Sequence, residues 1–422
     1  MSVVPVETRY ICPGETHSIS RSVHLSRLAA FYPNCRDCPL KSDDGELPRQ
    51  TIQRVERDER SVERKSLFTP EGVRGIHRNE LTRESAGRLA GALAGRVWER
   101  MIFNRQSEDG SRRIPRSQPL IVVGLDNRDS SPDLLAGVTS SLLRMGCRVI
   151  DVRCLSTPAF RFAVDHLHAS AGIHVTGSGC DPSWNGLDFV ARNGQPMSQA
   201  VGLEDIERRL EIPSARPTRH AGSFRTFDAT VPYEASLWKH FHALRPLTIA
   251  FACADISTTH TLETLFEKLP CQLVPIDMPT RRRDVSSIDD ADMQRLAAAV
   301  RRKNAHLGIL IDDDGCRCGF LDEQGKIVAT TEVSSLIAEN VGREHTERSV
   351  CLNQADVTQA TLFDSFGDRE AVFGSSGDGR YWFAESLPTC DAILAVARVL
   401  EILSRDDAPF SEVVAAACAI AP

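Results

Sequence analysis

Residues 176–186, TGSGCDPSWNG, place Ser178 in a glycine-rich turn directly after the apolar run AGIHV. A hydroxyl displayed there is a candidate nucleophile, although no base stands beside it in the sequence. A second turn, IDDDGCRCG over 311–319, sets Asp312 and Asp314 on alternate residues, a spacing that suits a hard cation such as Mg²⁺. A third, FGSSGDGRY over 373–381, carries Ser376, Gly377 and Asp378. Read singly, these are a Gly-rich turn, a solvated acidic loop and a flexible connection. Near the N-terminus, a Cys-x-x-Cys pair with an upstream Cys and His supplies the four N/S ligands of tetrahedral Zn²⁺. Cys12, Cys35 and Cys38 are the expected ligands, with His24 as the fourth because a mid-helix position fixes its imidazole. His17, in a loop, is the alternative, and the competing reading is a tail with incidental thiols.

The elements that must hold these turns follow from apolar periodicity. LTRESAGRLAGALAGRVWERMIF reads as an amphipathic helix with Glu84 in its first turn, PLIVVGLD as a buried strand and SPDLLAGVTSSLLRMG as the next helix. CRVIDVRCL, PAFRFAVDHL and AGIHVTG continue the alternation. A second cycle runs LTIAFACAD, THTLETLFEKL, QLVPID, DDADMQRLAAAVRRKN and LGILIDDD. A shorter third contains TTEVSSLIAENVG, SVCLNQ, AVFGSS and CDAILAVARVLEILSR. The expected class is α/β: three consecutive α/β/α domains with mixed, mostly parallel sheets, behind a small N-terminal zinc-binding segment. Each of the three turns falls at the C-terminal end of a strand, where open α/β sheets place their ligands.

The expected boundaries are a Cys/His-rich head over 1–40, a charged linker over 41–65, and domains over 66–215, 216–330 and 331–422. Over 422 residues, 41% hydrophobic and 25% charged content describes a globular protein, and a net charge of -7 argues against nucleic-acid binding. The start MSVVPVETRYICPG lacks a signal peptide's basic start and apolar core, and no run of about 18 apolar residues marks a membrane span. A cytoplasmic location is therefore expected, with most of the 13 cysteines reduced. Cys147, Cys154, Cys253 and Cys271 read as small core residues, and Arg281–Arg283 as a solvated loop. Cys180 and Cys316 come from turns facing one cleft and offer a thiol-based metal or redox site.

The order of the segments from Phe68 to Pro422 resembles the α-D-phosphohexomutases, the family of phosphoglucomutase and phosphomannomutase. FTPEGVRG looks like the family's FGTSGIRG, and VVGLDNRDSSPDLLAGVTSSLLRMGCRVIDV like its G-R-D-x-R-x-S strand–loop–helix; LSTPAF and PTCDAIL also fit. The resemblance implies an intramolecular phosphotransferase of carbohydrate metabolism, with a phosphoserine in T-A-S-H-N-P, Mg²⁺ in D-x-D-x-D-R and a sugar-reading loop G-E-x-S-G-H. Counting back from Asn185-Gly186 puts Ser178 on the phosphoserine, with Asp312, Asp314 and Ser178 as Mg²⁺ ligands. Arg74, Arg128 and Arg317 are the arginines retained for catalysis, and Ser376, Gly377 and Asp378 are the remnant of the sugar loop.

The match thins where the chemistry is done. Gly179, Cys180 and Asp181 follow the serine in place of His, Asn and Pro, and where the family has a lysine stands Asp188, whose carboxylate would repel a dianion. Cys316, a soft ligand, stands at the third aspartate. Glu71 replaces a serine, Leu125 the arginine of G-R-D, and Gly374 the glutamate of the sugar loop. The family's fourth domain would begin where AIAP ends, so it is expected to be absent. The expectation is a sugar-phosphate-binding or regulatory protein with weak or no mutase activity and weak or lost Mg²⁺, whose partners are a hexose phosphate and another copy or an active homologue. The alternatives are an active mutase using phospho-Ser178 and a purely structural protein.

Overall fold

The computed structural model describes residues 10–30, 32–35, 38–45, 47–53, 55, 66–103, 118–212, 217–281, 283–344, 350–351, 363, 371–384, 387 and 389–420. Arg282 and residues 56–65 of the expected linker lie outside them.

The first sheet has seven strands in the order β1-β2-β6-β5-β3-β4-β7. They are β1 (Phe68–Thr69), β2 (Gly72–Ile76), β3 (Leu120–Leu125), β4 (Arg148–Cys154), β5 (Ala171–Val175), β6 (Trp184–Ala191) and β7 (Ser223–Thr226). Along β3, Ile121 and Val123 join one core with helices Arg83–Phe103 and Ser131–Arg144. Val122, on the other face, packs with Phe160, Ala163 and Val164 of helix Thr157–His166. Helices cover both faces, which is why these strands read as unbroken apolar runs. β7 pairs in parallel with β4 and so carries the first sheet beyond residue 215.

The second sheet, β12-β11-β10-β8-β9, contains β8 (Thr248–Cys253), β9 (Gln272–Ile276), β10 (Leu307–Ile311), β11 (Cys318–Leu321) and β12 (Ile327–Val328). The third comprises β13 (Val350–Cys351), β14 (Phe373–Ser375) and β15 (Tyr381–Phe383). Parallel pairing joins the strands at the centre of the first two sheets, and return strands add antiparallel pairs, so the two kinds are equally represented among the described strands. One core runs from Phe160 through Ile249 and Ile309 to Phe373 and helix Ala392–Leu403, joining the units. A last helix, Phe410–Ile420, packs against helix Thr330–Glu344.

At the N-terminus, helix Arg21–Ala29 is capped by Ser20 Oγ, which accepts from the Val23 N–H. His24 is buried: its ring stacks on Tyr10 at 4.4 Å, and Nε2 donates to the Asp43 carbonyl at 3.0 Å. His17 is largely exposed beside Glu15. Arg27 Nη1 donates to Cys12 Sγ at 3.1 Å and to Glu15. The Cys35 thiol, buried near Cys12 and Cys38, is pushed up to about 11. No group of three or more His, Cys, Asp or Glu among the described residues is arranged to hold a metal.

Candidate active site

Ser178 sits just beyond β5, in a turn held from below. Asp126 Oδ2 accepts the Gly177 N–H at 2.9 Å, and Thr176 Oγ1 accepts that of Ser178 at 3.1 Å. A Cβ on Gly177 would meet Arg128 Nε at 2.6 Å, and Gly179 has φ +71°, so both glycines are required by the path of the loop. Arg128 is buried, and its guanidinium donates to the carbonyls of Cys180 and Asp181 at 2.8 Å and to Asp313 Oδ2 at 2.7 Å. It staples the serine turn to the acidic turn and does not line the Ser178 cavity.

The acidic turn follows β10 and is pinned by its own carbonyls. Asp314 O accepts from Thr157 N at 2.9 Å and Gly315 O from Ala392 N at 3.0 Å, so the starts of two helices grip it. Ser178 Oγ donates to Asp314 Oδ2. Burial works against the Asp314 carboxylate, yet Arg317, the Ser178 hydroxyl and Arg380 together hold it below the usual range. Asp312 accepts from Arg317 Nη1 at 3.0 Å, while burial and then Asp314 raise its pKa. Arg283, also buried, lies 4.0 Å from Asp312, and Arg281 pairs with Asp290 and Asp292 at 2.5 and 2.7 Å. These two arginines are structural pairs rather than members of a solvated loop.

Cys316 is buried with Cys390, Trp382 and Ala371, whereas Cys180 lines the cavity, so the expected thiol pair across the cleft is not formed. Burial first, then Cys390, pushes the Cys316 thiol well up. Cys147 and Cys271 are buried, and Cys154 and Cys253 are half-buried. The donor set therefore fits a hard divalent cation poorly: Asp312 is already paired with Arg317, Asp314 is engaged by the Ser178 hydroxyl, and the third position is a buried, protonated thiol.

The third turn closes on itself. Ser376 Oγ bonds Asp378 Oδ1, and Asp378 Oδ2 accepts from Arg317 Nε at 3.2 Å. Ser376, Gly377 and Asp378 do not line the Ser178 cavity; Arg380, near the end of the same turn, does. An antiparallel bridge between Arg317 and Arg380 joins this turn to the acidic one.

The cavity has a volume of about 380 Å³ and brings together Arg74, Arg161, Arg317 and Arg380 with Glu71, Asp188 and Asp314 around Ser178. Asp188 lies 2.6 Å from Arg74 Nη1, so the carboxylate expected to repel a dianion is met by a cation. The sequence reading placed Arg74 and Arg317 here and missed Arg161 and Arg380. Arg380 stood in the quoted turn, and Arg161 was visible as one charged residue in the otherwise apolar first turns of PAFRFAVDHL.

An α/β scaffold with a serine turn, an acidic turn and an arginine-lined cleft at strand ends defines the class. Residues 65–215 match the family described as phosphoglucomutase/phosphomannomutase, alpha/beta/alpha domain I. A phosphoglucosamine mutase of Anaeromyxobacter sp. (strain Fw109-5) is 28% identical over 384 residues, covering 82% of this chain and 78% of the relative. A phosphomannomutase/phosphoglucomutase of Pseudomonas aeruginosa is 24% identical over 369 residues, covering 81% and 74%. The fold is similar to the crystal structure of a phosphoglucomutase/phosphomannomutase family protein from Burkholderia thailandensis, with a TM-score of 0.71 at 21% identity, over 83% of this chain and 79% of that one. Residues 65–215 thus match domain I of this family, and the chain is similar in sequence and fold to α-D-phosphohexomutases over most of its length. No helix among the described residues is long and apolar enough to cross a membrane.

Proposed function

We propose that this chain binds a phosphorylated sugar in the Ser178 cleft and turns it over slowly or not at all, as a sugar-phosphate-binding or regulatory member of its family. One observation carries the reading: the acidic turn is neutralised from within by Arg317 and Arg128, while arginines line the adjoining cavity. Such a site attracts a phosphate dianion but offers little to a divalent cation, which a phosphoryl transfer needs to offset charge building between the two oxygens. The names of the relatives, mutases of phosphoglucosamine, phosphomannose and phosphoglucose, support a phosphorylated sugar as the ligand class. Calorimetric titration of the full chain with glucose 1-phosphate, with MgCl₂ or with EDTA, tests this. The expected result is saturable binding with the same affinity in both buffers. Absence of binding, or binding that requires Mg²⁺, contradicts the reading.

The contact between Ser178 Oγ and Asp314 favours a second reading, an active intramolecular phosphotransferase. In it, Ser178 carries the phosphoryl group, Asp314 faces the transferring oxygen, and Arg74 and Arg317 steady the phosphate.

A further inference from the structure

Arg161 is 4% exposed, and its Nε and Nη1 find no hydrogen-bond partner among the described residues. Thr157 stands four residues earlier on the same helix, on the same face, and its buried Oγ1 is likewise without a partner. Both line the cavity that holds Ser178, as does Arg380, whose Nε is also unpartnered. A buried cation with unmade hydrogen bonds is costly to keep, so the fold needs a reason to retain it. A guanidinium fork with a hydroxyl one helical turn away is a donor set that matches the oxygens of a phosphoryl group.

We propose that Arg161 and Thr157 form a second anion subsite in the cleft, which takes a phosphoryl group of a sugar phosphate held away from Ser178. The inference rests on the sugar-phosphate reading above and adds to it a requirement for a phosphoryl group at a stated wall. The subsite sets specificity: a neutral hexose leaves Arg161 unpaired and is rejected, since binding it forfeits the donors without relieving their burial.

The test uses the full chain, glucose 6-phosphate and inorganic phosphate as calorimetric probes, and thermal melts of wild type, Arg161→Met and Arg161→Lys. Arg161→Met is expected to weaken glucose 6-phosphate binding about 10- to 100-fold, the loss typical of charge-assisted hydrogen bonds, with an unchanged or higher melting temperature. Arg161→Lys should recover part of the affinity. Unchanged affinity in Arg161→Met overturns the inference, and so does weaker binding accompanied by a lower melting temperature, which marks a structural side chain. Inorganic phosphate binding as tightly as glucose 6-phosphate overturns the assignment to a sugar phosphate. Failure of wild type to bind glucose 6-phosphate removes the sugar-phosphate reading itself, which separates the two failures.

Discussion

At the scale of single residues, most charge in the cleft is matched internally. Arg74 faces Asp188, Arg128 faces Asp313, and Arg317 bridges Asp312 and Asp378, leaving Arg161 with unmade bonds. The serine, the acidic pair and the retained arginines could be read from the sequence because turn residues and alternating carboxylates leave local signatures. The pairing of Asp188 with Arg74 could not, because 114 residues separate them and only the antiparallel pairing of β2 with β6 brings them together. The same holds for Asp391, the cap of helix Ala392–Leu403, whose Oδ2 accepts from Tyr233 Oη at 2.7 Å. Burial pushes Asp391 up to about 6, although Tyr233 and two backbone N–H groups oppose this. With the folded pKa raised, the native state binds the extra proton, so the group's contribution is full below about pH 4 and is lost as pH rises through about 6. Asp391→Asn keeps a cap and an acceptor without the charge. Its stability relative to wild type should rise by about 2–3 kcal/mol between pH 4 and pH 8, as read from denaturant melts. A difference independent of pH contradicts this.

At the scale of elements, close approach decides what is tolerated. A Cβ on Gly137 would lie 2.0 Å from the Arg83 carbonyl, where helix Ser131–Arg144 crosses the start of helix Arg83–Phe103. Gly137→Ala should force the helices apart and cost about 1–3 kcal/mol. Gly342, in helix Thr330–Glu344, has nothing within 4 Å of such a Cβ, so Gly342→Ala should stabilise by about 0.5–1 kcal/mol. Urea unfolding of both variants checks the pair, and a loss at Gly342 or none at Gly137 contradicts it. The strands and helices of the first two units were legible because long apolar runs and 3.6-residue periodicity coincide with real burial. β6 was not, because WNGLDFVA begins inside the quoted turn and one of its two partners, β2, lies far upstream in the chain. The partners of His24 were hidden for a related reason: a helical spacing gives the face of a side chain, not the contacts that Tyr10 and Asp43 provide.

At the scale of the whole molecule, one core joins the three sheets and sets their strand ends around a single cleft. The turns keep the order of the family's segments, and under the proposed function the countercharge inside them falls short of what a phosphoryl transfer demands. Losing one such element costs about 10²–10⁴ in rate, and several lost together leave little turnover. The decisive measurement is a coupled assay of glucose 1-phosphate conversion to glucose 6-phosphate by the purified full chain, with Mg²⁺ and a glucose bisphosphate primer. Turnover at least about 100-fold below the ordinary enzymic range of about 1–10³ s⁻¹ is the predicted result. Turnover within that range, abolished by Ser178→Ala, would contradict the account.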